Sequence, residues 1–123
     1  MSTLRNKSFI QSTYHNLIDD RCTRKMIAID VDILQIKLEQ RKIRFIECKR
    51  MGEPMSKGQL IALKELARTT HPTFKARAYI LTGNPPYFDN WLEEVGGTNK
   101  RVKLNKTQLI LWLDFDLEIE DFD

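Results

Sequence analysis

The stretch of sequence that decides the fold is Ile29-Asp30-Val31-Asp32-Ile33-Leu34-Gln35-Ile36-Lys37, then Leu38 to Arg41, then Lys42-Ile43-Arg44-Phe45-Ile46-Glu47-Cys48-Lys49. We interpret it as two antiparallel strands joined by a short turn, in which successive side chains point to opposite faces. If the turn has an even number of residues centred on Glu39-Gln40, the numbers of paired residues sum to 79. Asp32 then lies opposite Glu47, and Asp30 lies opposite Lys49.

This register brings two carboxylates face to face. Directly opposed residues have Cβ atoms roughly 4.5–5.5 Å apart, so Asp32 and Glu47 repel each other unless a cation lies between them. Carboxylate oxygens are the ligands that Mg²⁺ and Mn²⁺ prefer. Lys49 lies beside the pair, where its ammonium group can contact a phosphate oxygen or an attacking water. The hairpin therefore indicates metal-dependent cleavage of a phosphate ester, although an ordinary solvated sheet face with cross-strand ion pairs gives the same pattern.

These residues resemble the PD-(D/E)xK nuclease superfamily. Asp32-Ile33-Leu34, a hairpin and then Phe45-Ile46-Glu47-Cys48-Lys49 match its motif, and residues 32–67 are similar in layout to VRR-NUC domains and archaeal Holliday-junction resolvases. The resemblance implies an α/β protein with the restriction-endonuclease-like fold, an αβββαβ core in which helices flank a mixed central sheet. The sequence departs from the pattern in having Val31 instead of proline before the aspartate.

The resemblance also implies a role for each motif residue. Asp32 and Glu47 would hold Mg²⁺ or Mn²⁺, and the backbone carbonyl of Cys48 would add a ligand. Lys49 would assist the attacking water. Asp30 matches an acidic residue that often precedes the motif aspartate by two positions.

A helix with a basic face is predicted directly after the hairpin. Ser56-Lys57-Gly58-Gln59 reads as a capping box, and the apolar residues from Leu60 to Ala67 give the helix a buried stripe. Gln59 either reaches the metal site, as a helix residue does in many members of the superfamily, or only caps the helix. Lys57, Lys64 and Arg68, with Arg50 before them, either contact a DNA backbone or form a solvated face.

The remaining secondary-structure elements are predicted from the spacing of their apolar residues. Residues 4–19 carry an amphipathic stripe that predicts a helix, and residues 75–82 read as a strand. Phe88, Trp91, Leu92 and Val95 have helical spacing, which predicts a short helix. Residues 114–120 alternate strictly, which favours a strand.

Composition bounds the class of protein. A chain of 123 residues with 41% hydrophobic and 30% charged residues is expected to form one globular domain over residues 1–123. We expect no membrane association, because no apolar run approaches the roughly 18 residues of a spanning helix and the N-terminus lacks a signal-peptide core. The two cysteines form neither a disulfide framework nor a zinc pattern, so a reducing cytoplasm is the expected compartment.

The charge is divided unevenly along the chain. Residues 114–123 hold six acids and no base, so the net charge of +3 separates into +9 on residues 1–113 and −6 on this acidic C-terminal segment. A basic body favours a polyanionic partner, DNA above all, with RNA left open. The acidic segment is expected to be a solubilising tail or an edge strand, rather than a shield over the basic surface. A homodimer is also left open, with Trp112 as one contact, since cutting both strands of a duplex suits twofold symmetry.

Together these features predict a Mg²⁺-dependent nuclease that hydrolyses DNA phosphodiester bonds, directed by structure such as a junction, flap or end. The alternative is an inactive nucleic-acid-binding or assembly subunit with a nuclease-like fold. A small protein-interaction domain with a coincidental motif is a third reading, and it predicts DNA association that is insensitive to salt.

Overall fold

The computed structural model describes most of the chain, namely residues 11–14, 16–17, 20, 29–69, 71–84 and 87–123. Contacts divide the chain into two units, residues 1–30 and residues 31–123. In the first unit, residues 11–14, 16–17 and 20 have helical backbone, in agreement with the predicted N-terminal helix. The rest of that predicted helix lies outside the described residues.

The second unit is built on a five-stranded mixed sheet. Its strands are β1 (Ile33–Lys37), β2 (Lys42–Arg50), β3 (Lys75–Asn84), β4 (Tyr87–Val95) and β5 (Arg101–Leu104), in that spatial order. Strands β2 and β3 are parallel and all other neighbours are antiparallel. Helix α1 (Lys57–Arg68) connects the parallel pair, while helix α2 (Lys106–Leu113) and a 3₁₀ helix (Ile119–Asp121) follow β5. The predicted α/β class with a mixed sheet and flanking helices is confirmed.

The hairpin has the predicted register. Leu34 pairs with Phe45 and Ile36 with Ile43, as the sum of 79 requires. Residues 38–41 form the turn, and Arg41 adopts a left-handed φ of 53° at its end. Asp32 therefore precedes β1 at the end of the hairpin where Glu47 lies.

Each face of the sheet has its own core. Helix α1 covers one face through Leu63, which packs with Ala78, Ile80 and Val95. Helix α2 and the 3₁₀ helix cover the other face in a larger cluster: Ile46, Tyr79, Leu92, Val102, Leu104, Leu109, Trp112, Ile119 and Phe122. Trp112 is 0% exposed, so it is not available as the predicted dimer contact. Among the described residues, no helix is long and apolar enough to cross a membrane.

The predicted helix at residues 88–95 is wrong, because this segment is strand β4. Leu92 faces one core and Val95 the other, so both sides of the strand are buried. Two buried polar residues, Asn90 and Glu94, occupy positions where an apolar residue would have revealed the strand period. Glu94 is tolerated there because Arg77 donates to both of its carboxylate oxygens, at 2.7 and 2.6 Å.

The expectations for the acidic C-terminal segment are also wrong. Residues 114–123 form neither a solvated tail nor a strand, but a turn and the 3₁₀ helix. Phe115, Ile119 and Phe122 are buried, and this burial ties the segment to the sheet. The alternating pattern arises because Phe115 and Ile119 turn inward, whereas Asp114, Asp116 and Glu120 stay exposed.

A buried arginine on β2 holds this segment in place. Arg44 is 1% exposed and donates to the backbone carbonyl of Trp112 and, at 3.2 Å, to Glu118 Oε1. Its guanidinium also lies 4.3 Å from the ring centroid of Trp112 and 3.8 Å from that of Phe115. The C-terminal acids thus stabilise a buried cation, an interaction absent from the sequence-based expectations.

Candidate metal centre

Three elements meet at the end of β2. Glu47 and Lys49 lie on the same face of β2 as Phe45, which packs against the core under α1. The loop after β2 ends at Ser56, the N-cap of α1, so the first turn of the helix returns to this end of the strand. The residue that leads into β1, Asp32, completes the group.

Asp32 is oriented by the backbone of β2. The Cys48 N–H donates to Asp32 Oδ2 at 2.8 Å, just beyond the point where the β1–β2 ladder ends at Ile33 and Ile46. The N–H and C=O of one strand residue point to the same edge of the strand. The Cys48 carbonyl therefore lies on the Asp32 side of β2, as a backbone ligand beside these carboxylates would require.

Glu47 is the most unusual group of the site. It is 4% exposed, and its Oε1 accepts a hydrogen bond from Gln59 Nε2 at 3.2 Å. Its Oε2 is buried and finds no hydrogen-bond partner among the described residues. Burial, and after it the nearby carboxylate of Asp32, raise the pKa of Glu47 to about 7, although Lys49 opposes both effects. A buried carboxylate with an orphaned oxygen lacks a cationic or donor partner on that side.

Lys49 is held between three acceptors. Its Nζ lies 3.2 Å from Gln59 Oε1, 3.6 Å from Glu47 Oε1 and 3.6 Å from Glu53 Oε2. Glu53 is itself anchored, because it accepts a hydrogen bond from the Arg50 N–H at 3.0 Å, which lowers the pKa of its carboxyl group. The ammonium group of Lys49 is thereby fixed beside Glu47. Glu53 was not predicted from the sequence, where its only signal is its spacing of four residues from Lys49.

Gln59 serves the helix and the site at once. Its backbone N–H donates to Ser56 Oγ, and its Oε1 accepts from the Ser56 N–H, so the capping box is confirmed. The same side chain bridges Lys49 and Glu47 through its two polar ends. Gln59 therefore does more than cap the helix, while its place beside a metal stays a prediction.

A metal bound by Asp32 and Glu47, as proposed below, predicts that Gln59→Ala weakens binding of Mn²⁺ by about 10- to 100-fold, the usual cost of losing a group that orients a metal ligand. The measurement is isothermal titration of the metal into each variant. Ser56→Ala is the matched control, because it removes the cap at a cost of about 1 kcal/mol in stability but leaves the bridge intact. Equal losses of metal affinity in the two variants would show that the bridge does not matter.

The donor set fits a hard divalent cation. Asp32 and Glu47 supply carboxylates, and the Cys48 carbonyl lies on the Asp32 side of β2. Within the described ranges, no group of three or more His, Cys, Asp or Glu side chains is placed to hold a metal. Mg²⁺ commonly binds through one or two carboxylates and completes its shell with waters and substrate phosphates. Desolvation and then the two carboxylates raise the pKa of the Cys48 thiol to about 11, so little of it is the nucleophilic thiolate at neutral pH.

The other predicted site residues are Asp30 and four basic residues expected to contact DNA. Asp30 is exposed and belongs to the first unit, so its pairing with Lys49 stays a prediction. The four basic residues predicted to contact DNA are all exposed: Arg50, Lys57, Lys64 and Arg68. Lys57 begins α1 at the centre, whereas Arg68 is eleven residues further along, about 16 Å along the helix axis. Arg68 also pairs with Glu65 at 3.3 Å.

Comparisons of the chain with protein-family models, with curated proteins and with solved structures give no match. A function for this chain is therefore inferred from the geometry around Glu47.

Proposed function

We propose that this protein is a divalent-metal-dependent nuclease of the PD-(D/E)xK type, acting on DNA. The observation that carries the proposal is the buried Glu47, whose Oε2 has no partner among the described residues and whose neighbour across the hairpin is a second acid, Asp32. Two close carboxylates destabilise a fold unless a cation compensates for them. Ionisable groups with strongly shifted pKa values, such as Glu47, cluster at functional sites.

The chain's own residues would divide the work between them. Asp32 and Glu47 would hold Mg²⁺ or Mn²⁺, with the Cys48 carbonyl as a further ligand. When bound, such an ion polarises a scissile phosphate and acidifies the attacking water. Lys49, fixed by Gln59 and Glu53, would orient that water and offset negative charge that develops on the phosphate.

Cleavage of labelled duplex, single-stranded, flap and four-way-junction DNA in Mg²⁺ or Mn²⁺ tests the proposal. Asp32→Asn is expected to abolish cutting, because the amide oxygen still accepts from Cys48 but no longer supplies a charged ligand. Lys49→Met is expected to slow cutting by about 10²–10⁴-fold, the usual contribution of a residue that positions or transfers a proton. Glu65→Gln, which alters an exposed acid on α1, is the matched control and should cut like the parent protein.

DNA binding by the same variants separates the proposal from its alternative. Phosphate contacts elsewhere carry most of the affinity, so Asp32→Asn should bind DNA nearly as tightly as the parent, with a steep dependence on salt. Salt-sensitive binding without cutting of any substrate by the parent protein would favour an inactive nucleic-acid-binding subunit. Cutting that survives in Asp32→Asn would place the catalytic centre elsewhere.

A further inference from the structure

Among the described residues, neither core cluster includes a residue at one corner of the sheet on the α1 side, and this corner adjoins the candidate metal centre. The pairing of strands places Lys49, Thr82, Trp91 and Lys103 in one row across β2, β3, β4 and β5. Residues paired in this way lie on the same face of a sheet. The row starts at the lysine of the centre and crosses the sheet at right angles to its strands.

Trp91 is the aromatic member of this row. Among the described residues it belongs to neither core cluster, although its neighbour Leu92 is completely buried on the opposite face. The core under α1 ends at Ile80 and Val95, and the Trp91 side chain beyond it is partly exposed. The guanidinium of Arg101 lies over the ring, 3.9 Å from its centroid.

Two cations near Trp91, Arg101 and Lys103, are placed to contact a phosphate. Lys103 is exposed and pairs with Asp89 at 3.1 Å, and both side chains are more than half accessible. Arg101 pairs in register with Glu93, which is half-buried. An exposed ion pair such as Lys103–Asp89 is weak and screened by salt, so a phosphate can replace the carboxylate with little loss of free energy.

The spacing of the row suits an extended strand of nucleic acid. Neighbouring strands lie about 4.8 Å apart, so Trp91 is about 10 Å from Lys49 across the sheet. That is the distance from a scissile phosphate at the centre to a base one or two nucleotides away. Proteins that bind single strands combine such basic positions with aromatic side chains on which bases stack.

We infer that Trp91, with Arg101 and Lys103, binds an unpaired nucleotide of DNA next to the phosphate cut at the Asp32–Glu47 centre. The inference rests on the proposed nuclease function for the position of that phosphate. It narrows the substrate to DNA with a single-stranded segment, such as a flap or an open end. Bases inside a duplex are stacked on one another and present only their edges, so they cannot stack on Trp91.

A second arginine–aromatic pair provides the control for mere packing. Arg41 lies over the partly exposed ring of Phe74 at 5.9 Å, at the opposite end of the parallel strands. If Arg101 only covers an apolar ring, replacing Trp91 and replacing Phe74 should have the same effect on binding of a single strand. If Trp91 is a stacking surface, only its replacement should weaken binding of a single strand.

Fluorescence gives a direct readout, because the chain has only two tryptophans and the other, Trp112, is completely buried. We expect single-stranded oligo(dT), added in EDTA at low salt, to quench the emission of the parent protein, and a duplex of equal length to quench it far less. Anisotropy of a labelled oligo(dT) then compares variants. Trp91→Leu should raise the Kd by about 5- to 150-fold, the range for losing one stacked base. Trp91→Phe should raise it less, and Phe74→Leu should leave it unchanged.

The proposed binding surface of Trp91, Arg101 and Lys103 is overturned by any one of three results. These are no quenching of the emission by oligo(dT), binding of oligo(dT) by Trp91→Leu as tight as by the parent, or equally strong quenching by a duplex. Because EDTA prevents metal-dependent cutting, these results do not depend on catalysis. If oligo(dT) quenches the parent but not Trp91→Phe, and the parent cuts no substrate, the binding surface is supported and the proposed nuclease function fails. Cutting that is indifferent to Trp91→Leu on every substrate would overturn the surface while the nuclease stands.

Discussion

Glu47→Gln is expected to abolish metal-dependent cleavage and, without metal at about pH 8, to make the protein more stable than its parent. The pKa of Glu47 is about 7 in the folded protein, against a usual value of 4.5. The folded state therefore holds this proton more tightly than the unfolded chain does. The stability that the protonated group contributes is fully present below pH 4.5 and is lost as the pH rises through 7.

The loss amounts to about 3 kcal/mol between these limits, since each pKa unit is worth about 1.4 kcal/mol. Glutamine resembles the protonated carboxyl group and does not ionise, so the variant avoids this loss. Divalent metal should reverse the order. It binds the ionised carboxylate, and it should stabilise the parent increasingly from about pH 6 to pH 8 while leaving Glu47→Gln unchanged.

Thermal unfolding of both proteins across this pH range, with and without millimolar Mn²⁺, checks the prediction. Glu65→Gln is the control, because its exposed carboxylate should change the melting temperature little at any pH. A parent protein that is more stable than Glu47→Gln at pH 8 without metal would contradict the raised pKa. A metal-induced stabilisation that persists in Glu47→Gln would place the metal elsewhere.

Arg44→Ala is expected to destabilise the protein by about 3–5 kcal/mol, which corresponds to a fall in Tm of roughly 10–20 °C. The substitution removes the buried donor to the carbonyl of Trp112, which then still accepts from the Phe115 N–H at 3.0 Å. The same substitution removes a cation from Glu118, whose side chain is 17% exposed. It also opens a gap between the rings of Trp112 and Phe115.

Lys42→Ala is the matched comparison, because Lys42 pairs with the same carboxylate at 2.9 Å from a side chain that is 33% exposed. Its loss should cost no more than about 1 kcal/mol. Chemical denaturation of both variants measures the two free energies of unfolding. Similar losses of stability in the two variants would show that the buried Arg44 contributes no more than the partly exposed Lys42.

The hairpin and the candidate centre were predictable because their information is local. Asp32 and Glu47 are fifteen residues apart, and a four-residue turn with strict alternation fixes their register. The capping box at Ser56 is likewise contained in four residues. In such cases the backbone period and the hydrogen-bonding chemistry of single side chains decide the outcome.

Strand β4 and the C-terminal segment were not predictable in this way because distant partners decide them. Glu94 is buried in β4 opposite a cation, because Arg77, seventeen residues earlier, donates to both of its carboxylate oxygens. Glu118 meets Arg44 across seventy-four positions. Helix α2 did carry a local signal, the capping box formed by Asn105 and Gln108, which the apolar run from Leu109 obscured.

Strand β2 carries its two buried charged side chains on opposite faces, three residues apart. Arg44 donates to the carbonyl of Trp112 and to Glu118, and Glu47 lies on the α1 side beside Gln59. A slip of the strand by one residue would exchange the faces. The guanidinium would then enter the apolar space beneath α1, and the carboxylate would meet the cluster around Trp112. Both errors leave an ion without a partner, so the charges discriminate against misaligned pairing of this hairpin during folding.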